Sequence, residues 1–253
     1  MRNSRIWPAL RQWLALIALC TLALQLVWLA RIGLMNWCDP QSTSFQRSEI
    51  WRLLRSPQPA AWGQQWVDSE RISVQLKRAV IASEDAGFTE HNGIEWDALE
   101  NAWARNQRAG ARASSESASN KPSKHASKRA PKLVGGSTIT QQLAKNLWLS
   151  PERNLSRKVQ ELGMTLALEG LLSKQRVLEI YLNNVEWGEG LFGAQAASQY
   201  YFRRDASRLD AASAARLAVM LPAPKRFERQ IGSAALASRA ATIVARMPSV
   251  DVP

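Results

Sequence analysis

Hydrophobic and polar positions divide this chain into one unbroken apolar run and a series of amphipathic segments. Leu14 to Ala30 (LALIALCTLALQLVWLA) carries no charge, and only Thr21 and Gln25 are notably polar. Its 17 residues are the short end of what spans a hydrocarbon core of roughly 30 Å. Trp7, Trp13, Trp28 and Trp37 flank the run at both ends, as interfacial aromatics do. No small-x-small cleavage site follows it, so the pattern predicts an uncleaved transmembrane helix over 14–30 rather than a signal peptide. Residues 1–13 hold Arg2, Arg5 and Arg11 and no acid, which places this tail in the cytoplasm and exports the rest. Arg31, Arg47, Arg52 and Arg55 blur that asymmetry.

Residues 31–69, with Pro40, Pro57, Pro59 and scattered Trp, read as a connector into a folded domain over 70–247. Leu76, Ala79 and Val80 give Arg71 to Ala82 one helical face. Glu84 and Asp85 follow at its end, then Phe88, His91 and an Asn92-Gly93 turn. Two adjacent carboxylates in a confined site cannot both ionise freely, so one is expected to have a raised pKa suited to proton transfer. A solvated acidic helix end is the plainer alternative. Ile94, Leu99 and Trp103 again have near-helical spacing. Residues 106–132 hold no aliphatic side chain larger than Ala; such a stretch cannot offset its ordering entropy and reads as a disordered insertion. It is either a solvated segment or, by its charge, suited to anionic lipid headgroups.

Order returns at Leu133 (LVGGSTITQQLAKNLWLS). Ser137 or Thr138 can cap a helix whose buried stripe is Ile139, Leu143 and Leu147. A Gly-Gly turn, a capped helix start and Lys145 could cradle a phosphate, although no Walker pattern accompanies them. In Leu155 to Leu172 the positions Leu155, Val159, Leu162, Leu166 and Glu169 step along one side, with Arg157, Lys158 and Glu161 together elsewhere. Ser173 caps a further helix with Val177, Ile180 and Tyr181 inward, ahead of a glycine-rich loop at 186–190. Gly193–Phe202, Asp210–Leu221 and Ala234–Met247 read as helices. No run shows strand alternation, so the chain is expected to be mainly α.

The formal net charge of +12 suggests an anionic partner. Residues 105–132, however, hold eight Lys/Arg against one Glu and so supply +7 of it. The folded part is only mildly basic, and no nucleic-acid partner is expected. Cys20 and Cys38 suggest neither a metal site nor a disulfide framework.

Four blocks occur in order: SEDAGFTEHNGI, GGSTITQQLAKNL, RKVQELGMTLALE and KQRVLEIYLNNVEWGEGLFGAQAASQYYF. Together they closely resemble the peptidoglycan glycosyltransferases of family 51, over roughly residues 71–227. The resemblance implies a lysozyme-like, all-helical domain that polymerises lipid II into β-1,4-linked glycan at the bacterial inner membrane. It implies catalytic roles for Glu84 and Glu161. Substrate-binding roles fall on Asp85, Phe88, His91, Ser137, Thr138, Gln142, Lys145, Asn146, Arg157 and Lys158. No tightly bound cofactor is implied, although a divalent cation (Mg or Mn) could sit at the pyrophosphate. Expected partners are lipid II, the growing glycan strand, the membrane and other cell-wall synthesis proteins. A lytic transglycosylase shares the fold, but it has no pyrophosphate to bind and so no need of the basic residues. An inactive membrane-tethered scaffold would not need both glutamates. The insertion at 106–132 is longer than this family usually carries between its first two motifs.

The 253 residues contain no Ser-x-x-Lys followed by Ser-x-Asn and Lys-Thr-Gly, the serine chemistry of penicillin-binding transpeptidases. The chain is therefore expected to resemble the monofunctional members. Incubated with a fluorescent penicillin and run on a denaturing gel, it should stay dark; a stable covalent label would overturn that expectation.

Overall fold

The computed structural model describes residues 6–57, 62–96, 137–149 and 155–253, together with residues 100 and 107. The Gly135-Gly136 turn, the helical spacing of Leu99 and Trp103, and all of the 106–132 insertion but Gln107 lie outside them. The described chain is mainly α, as the periodicities predict.

Helix α1, Ile6–Leu34, extends past the apolar run at both ends. Its stretch Leu10–Leu34 contains an 18-residue window of mean hydropathy 2.2, none of it buried, which by length and composition suffices to cross a membrane. Only the C-terminal end of α1 is claimed by the domain. Ile32 and, just beyond the helix, Met35 enter the core, Asn36 Nδ2 donates to Leu171 O at 2.9 Å, and Trp28 meets Trp148 edge-on.

The connector is more ordered than its prolines suggest. Thr43 and Gln46 form a capping box, each side chain accepting from the other's backbone amide. They launch helix α2, Ser44–Leu54. The Thr-x-x-Gln signature stood in the sequence and outweighs the surrounding prolines.

Helix α3, Val74–Glu84, is capped by Ser73 and buries Leu76, Ala79, Val80, Ile81 and Ala82. It packs on α8 (Ala211–Ala218, capped by Asp210) and α10 (Ala234–Arg246, capped by Ser233). Helix α4, Ile139–Trp148, packs against α2, α5 (Leu155–Leu171) and α6 (Lys174–Asn184). Helices α7, Ala194–Phe202, and α9, Pro224–Glu228, lie between α6 and α10 in the chain. Pro224 opens α9 rather than ending α8, which closes at Ala218, as befits proline in a first turn.

Two expectations are corrected. The first concerns strands. β1 (Gly63–Gln64) pairs in parallel with β3 (Leu191–Phe192), which pairs antiparallel with β2 (Glu186–Gly188). Pieces of two or three residues are too short to display alternation. The second concerns α5. Val159 and Leu166, expected inward, are 71% and 52% exposed. The buried positions are Glu161, Thr165 and Leu168, followed by Leu172 just past the helix. This helix has apolar side chains on more than one side, and the domain takes the face carrying a carboxylate and a hydroxyl.

Asn183, fully buried at the end of α6, joins the connector to this core. Its Oδ1 accepts from Val67 N and its Nδ2 donates to Val67 O, both at 2.9 Å. The side chain thus exchanges both bonds with Val67 as a neighbouring strand residue would. Gly193 passes so close, at φ +83°, that a Cβ would lie 2.7 Å from Asn183 O. Asn183→Ala should leave both buried Val67 groups unpaired, and a loss of about 2–4 kcal/mol is expected. Denaturant unfolding of the detergent-solubilised protein measures it; an unchanged midpoint would refute the account.

Candidate active site

The site forms where the end of α3 meets the start of α4. Glu84 is the last residue of α3 and Asp85 its C-cap. The Asp85 side chain turns inward and is almost completely buried. Its Oδ2 accepts from Ile139 N, the first residue of α4, at 3.0 Å. Its Oδ1 lies 2.8 Å from His91 Nε2, while Gly93 N donates to His91 Nδ1 at 3.1 Å. A ring nitrogen that accepts carries no proton, so this network assigns the hydrogen to Nε2, which donates to Asp85. Thr138 Oγ1 donates to Gly93 O at 2.6 Å and accepts from Gln141 N, capping α4. Phe88 is wholly buried under Lys174, whose Nζ is 4.5 Å from the ring centroid.

Asp85, Phe88, His91 and Thr138, expected at a substrate, therefore spend their side chains on one another, on Lys174 and on the start of α4. Of the cradle read from the sequence, the Ile139 and Gln141 amides already have partners, and the Gly135-Gly136 turn lies outside the described residues.

Glu84 is left facing the other way. Its Oε2 accepts from Gln142 Nε2 at 2.9 Å, and Ser83 Oγ lies 3.4 Å from Oε1. Burial pushes the Glu84 carboxyl above the usual carboxylate range. Gln142, Ser83 and the charge of Lys145 pull it down; Asp85 pushes it up. The raised carboxyl anticipated from the Glu-Asp pair is thus present, but water exclusion outweighs repulsion between neighbours as its cause.

Beside Glu84, reached through Gln142, lies a cleft of about 410 Å³. It is lined by Ser137 just before α4, by Gln142, Lys145 and Asn146 along α4, and by Arg157, Lys158 and Glu161 from α5. All seven were expected at the site from sequence. Phe45, Gln141 and Leu149 also line it and were not anticipated. Phe45 belongs to α2, whose capping box was the only signal that this segment is ordered enough to contribute.

Glu161 is buried in the floor, its side chain 5% exposed. Lys158 Nζ lies 2.5 Å from Oε1, and Arg157 Nη1 lies 3.4 Å from Oε2. Both carboxylate oxygens thus hold cations of the protein itself. Among the described residues no group of three or more His, Cys, Asp or Glu side chains could hold a metal ion. These donors do not fit a resident divalent cation. Lys145, Arg157 and Lys158 set three positive charges against the two carboxylates, so the cleft suits an anion.

The family model described as Transglycosylase matches residues 54–120 and 122–248. The biosynthetic peptidoglycan transglycosylase of Paraburkholderia phytofirmans is 47% identical over 240 residues, 94% of this chain and 91% of that protein. The protein of that name from Paraburkholderia xenovorans gives the same identity and coverage. That from Burkholderia multivorans is 46% identical over 239 residues, 94% of this chain and 89% of its own. With the family model and these relatives each spanning most of the sequence, the chain belongs to the transglycosylase family, the helical, lysozyme-like peptidoglycan glycosyltransferases of cell-wall synthesis.

Proposed function

We propose that the chain polymerises a polyprenyl-pyrophosphate-linked disaccharide, lipid II, with Glu84 as general base. The observation that carries this reading is geometric: Glu84 Oε2 accepts from Gln142, which lines a cleft together with Lys145, Arg157 and Lys158. A base is most effective when its pKa approaches the working pH.

In the proposed step Glu84 takes the proton of the acceptor sugar's 4-hydroxyl. That oxygen attacks the donor's anomeric carbon from the face opposite the pyrophosphate. The new C–O bond is β-1,4, the anomeric C–O bond to phosphorus breaks with inversion, and the bonding pair leaves on the polyprenyl pyrophosphate. Negative charge therefore grows on the leaving group, where Lys145, Arg157 and Lys158 meet it. Such preorganised charge is a large part of most rate enhancements. Glu161 acts by holding Arg157 and Lys158 at fixed positions before substrate arrives. Ser137, Gln142 and Asn146 supply hydrogen bonds along the cleft.

Both substrates carry a lipid tail, and α1 is the proposed single-pass anchor, with its arginine-rich end in the cytoplasm and the domain in the periplasm. The exposed Val159 and Leu166 lie on α5, the helix against which α1 packs. They support a domain whose cleft opens beside the bilayer. Other cell-wall synthesis proteins are proposed partners on the strength of the activity alone.

Glu84→Gln keeps shape and hydrogen bonding but removes basicity, and polymerisation of lipid II should fall by ~10² to 10⁴-fold. Near-normal glycan synthesis by a variant with wild-type unfolding behaviour would remove Glu84 from the role. Because burial raises the Glu84 carboxyl, and the base must be ionised, wild-type activity should climb with pH through an acid limb above the ordinary carboxylate range. Glu161→Gln leaves two neighbouring cations without their shared counter-ion. Discounted for the half-exposed Lys158, a stability loss of about 1–3 kcal/mol is expected, with a KM for the lipid-linked donor raised at least severalfold. Unaltered unfolding and KM together would show that Glu161 does not organise the cations.

A further inference from the structure

Tyr181 is a buried titratable group that the proposed chemistry leaves unused. It lies on α6 with no exposed surface. Its hydroxyl is 3.0 Å from Gln142 Oε1, on the far side of the amide whose Nε2 is 2.9 Å from Glu84 Oε2. Three residues from α3, α4 and α6 thus form one chain of hydrogen bonds that ends on the proposed base.

We propose that Tyr181 is a positioning residue for glycosyl transfer: its hydroxyl donates to Gln142 Oε1 and so holds the Gln142 amide with its N–H on the Glu84 carboxylate. The inference rests on the reading of Glu84 as base.

The donor and acceptor inventory fixes the direction of the chain. An ionised carboxylate only accepts, so the Gln142 nitrogen must face it and the Gln142 oxygen must face Tyr181. A phenol can donate to that oxygen only while it stays protonated. Burial, together with the charges of Glu84 and Asp85, pushes the Tyr181 hydroxyl well above its ordinary range, so it remains a donor. Glutamine has three rotatable bonds, whereas a tyrosine wedged in a core has essentially one orientation. The phenol is therefore the rigid end of the chain and Gln142 the adjustable middle. Polarisation of the amide by the phenol also strengthens the N–H bond to Glu84.

The other groups acting on Glu84 are the Ser83 hydroxyl at 3.4 Å, the positive charge of Lys145 and the negative charge of Asp85. Of the two hydrogen bonds that favour the ionised base, that from Gln142 is the shorter and the one that Tyr181 governs.

Removing only the hydroxyl leaves Gln142 Oε1 without this donor, and the amide is then free to swing from Glu84. The carboxylate loses a donor to its charged form, so its pKa rises further. The deficit should depend on pH, because alkali re-ionises the base whether or not the amide is in place. A general weakening of the fold would not have that signature.

The experiment measures kcat/KM for lipid II polymerisation against pH, using the full chain in detergent. Tyr181→Phe is expected to move the acid limb up by roughly half to one pH unit. Activity on the limb should then fall about 3- to 10-fold, recovering on the alkaline plateau. Gln142→Leu should move the limb at least as far, and the double variant no further than Gln142→Leu alone. An unmoved limb in Tyr181→Phe overturns the proposal, as does an equal further shift when Tyr181→Phe is added to Gln142→Leu. If Tyr181→Phe does not fold, Gln142→Leu still decides: a limb that stays in place refutes a chain that works through this amide. Glu84→Gln separates the two levels. Full activity there defeats both the base and this inference, whereas an inactive Glu84→Gln with an unmoved Tyr181→Phe limb defeats the inference only.

Discussion

The hydrogen bond from Ile139 N to Asp85 Oδ2 joins residues 54 apart in sequence, and the geometry of the cleft depends on it. It sets a carboxylate on the first amide of α4, where backbone N–H groups have no helical partner and the helix dipole favours negative charge. Because Asp85 is also the C-cap of α3, the bond fixes the end of one helix against the start of another. Glu84, one residue earlier, is thereby held within reach of Gln142, one turn into α4. Adjacent carboxylates thus have different work, one spent inward on structure and the other bonded to Gln142 of the cleft wall. Gly93 is tied to the start of α4 by Thr138 on its carbonyl and lies against Thr165 and Glu169 of α5. A Cβ on Gly93, at φ +79°, would lie 2.7 Å from both Glu169 Cγ and Thr165 Cγ2. Only a glycine fits that approach and that dihedral.

Much of this was legible in the residues. Thr138 and Ser173 each stood before a periodic segment, and each caps a helix. Seven of the ten cleft-lining positions were recoverable because ordered motifs, unlike isolated residues, identify a family. What the motifs could not tell was which members face substrate and which hold the others in place. Asp85, Phe88, His91 and Thr138 sit in the same blocks as Glu84 and Gln142, yet their side chains are turned into the fold. That distinction is tertiary. The orientation of α5 escaped for a related reason. Periodicity locates an apolar stripe but not what lies against it, and here the core accepts Glu161 and Thr165 because Arg157, Lys158 and the backbone satisfy them. The short sheet was invisible because its pairing comes from chain closure rather than side-chain pattern.

Charge in the domain follows a consistent logic. The buried carboxylate of Glu161 would be costly alone and is neutralised by two neighbours. The same pairing keeps Arg157 and Lys158 from repelling each other out of position before an anion arrives. A second network, remote from the Glu84 hydrogen-bond chain, ties the connector to the sheet. Lys225 reaches Glu49 at 2.5 Å and Glu186 at 3.3 Å, and Arg52 bridges Glu49 and Glu189. The burial of Glu186 pushes its carboxyl up to about 7, since one lysine shared with Glu49 does not fully compensate for lost water. Through this network α2, which contributes Phe45 to the cleft wall, is fixed to β2 and α9.

The same economy governs the join between anchor and domain. Arg176, on α6, donates to Met35 O at 2.6 Å and bonds Asp39 at 2.7 Å, just past the end of α1. It also pairs with Glu179 on its own helix and covers the Trp66 ring. One guanidinium, always charged and forked, satisfies a carbonyl and two carboxylates at once, which a lysine's single ammonium could not do with fixed geometry. Together with Asn36 on Leu171 O and Trp28 on Trp148, it joins the end of α1 to the fold by polar and aromatic contacts. These contacts also set the side of the domain that carries Val159 and Leu166 relative to α1.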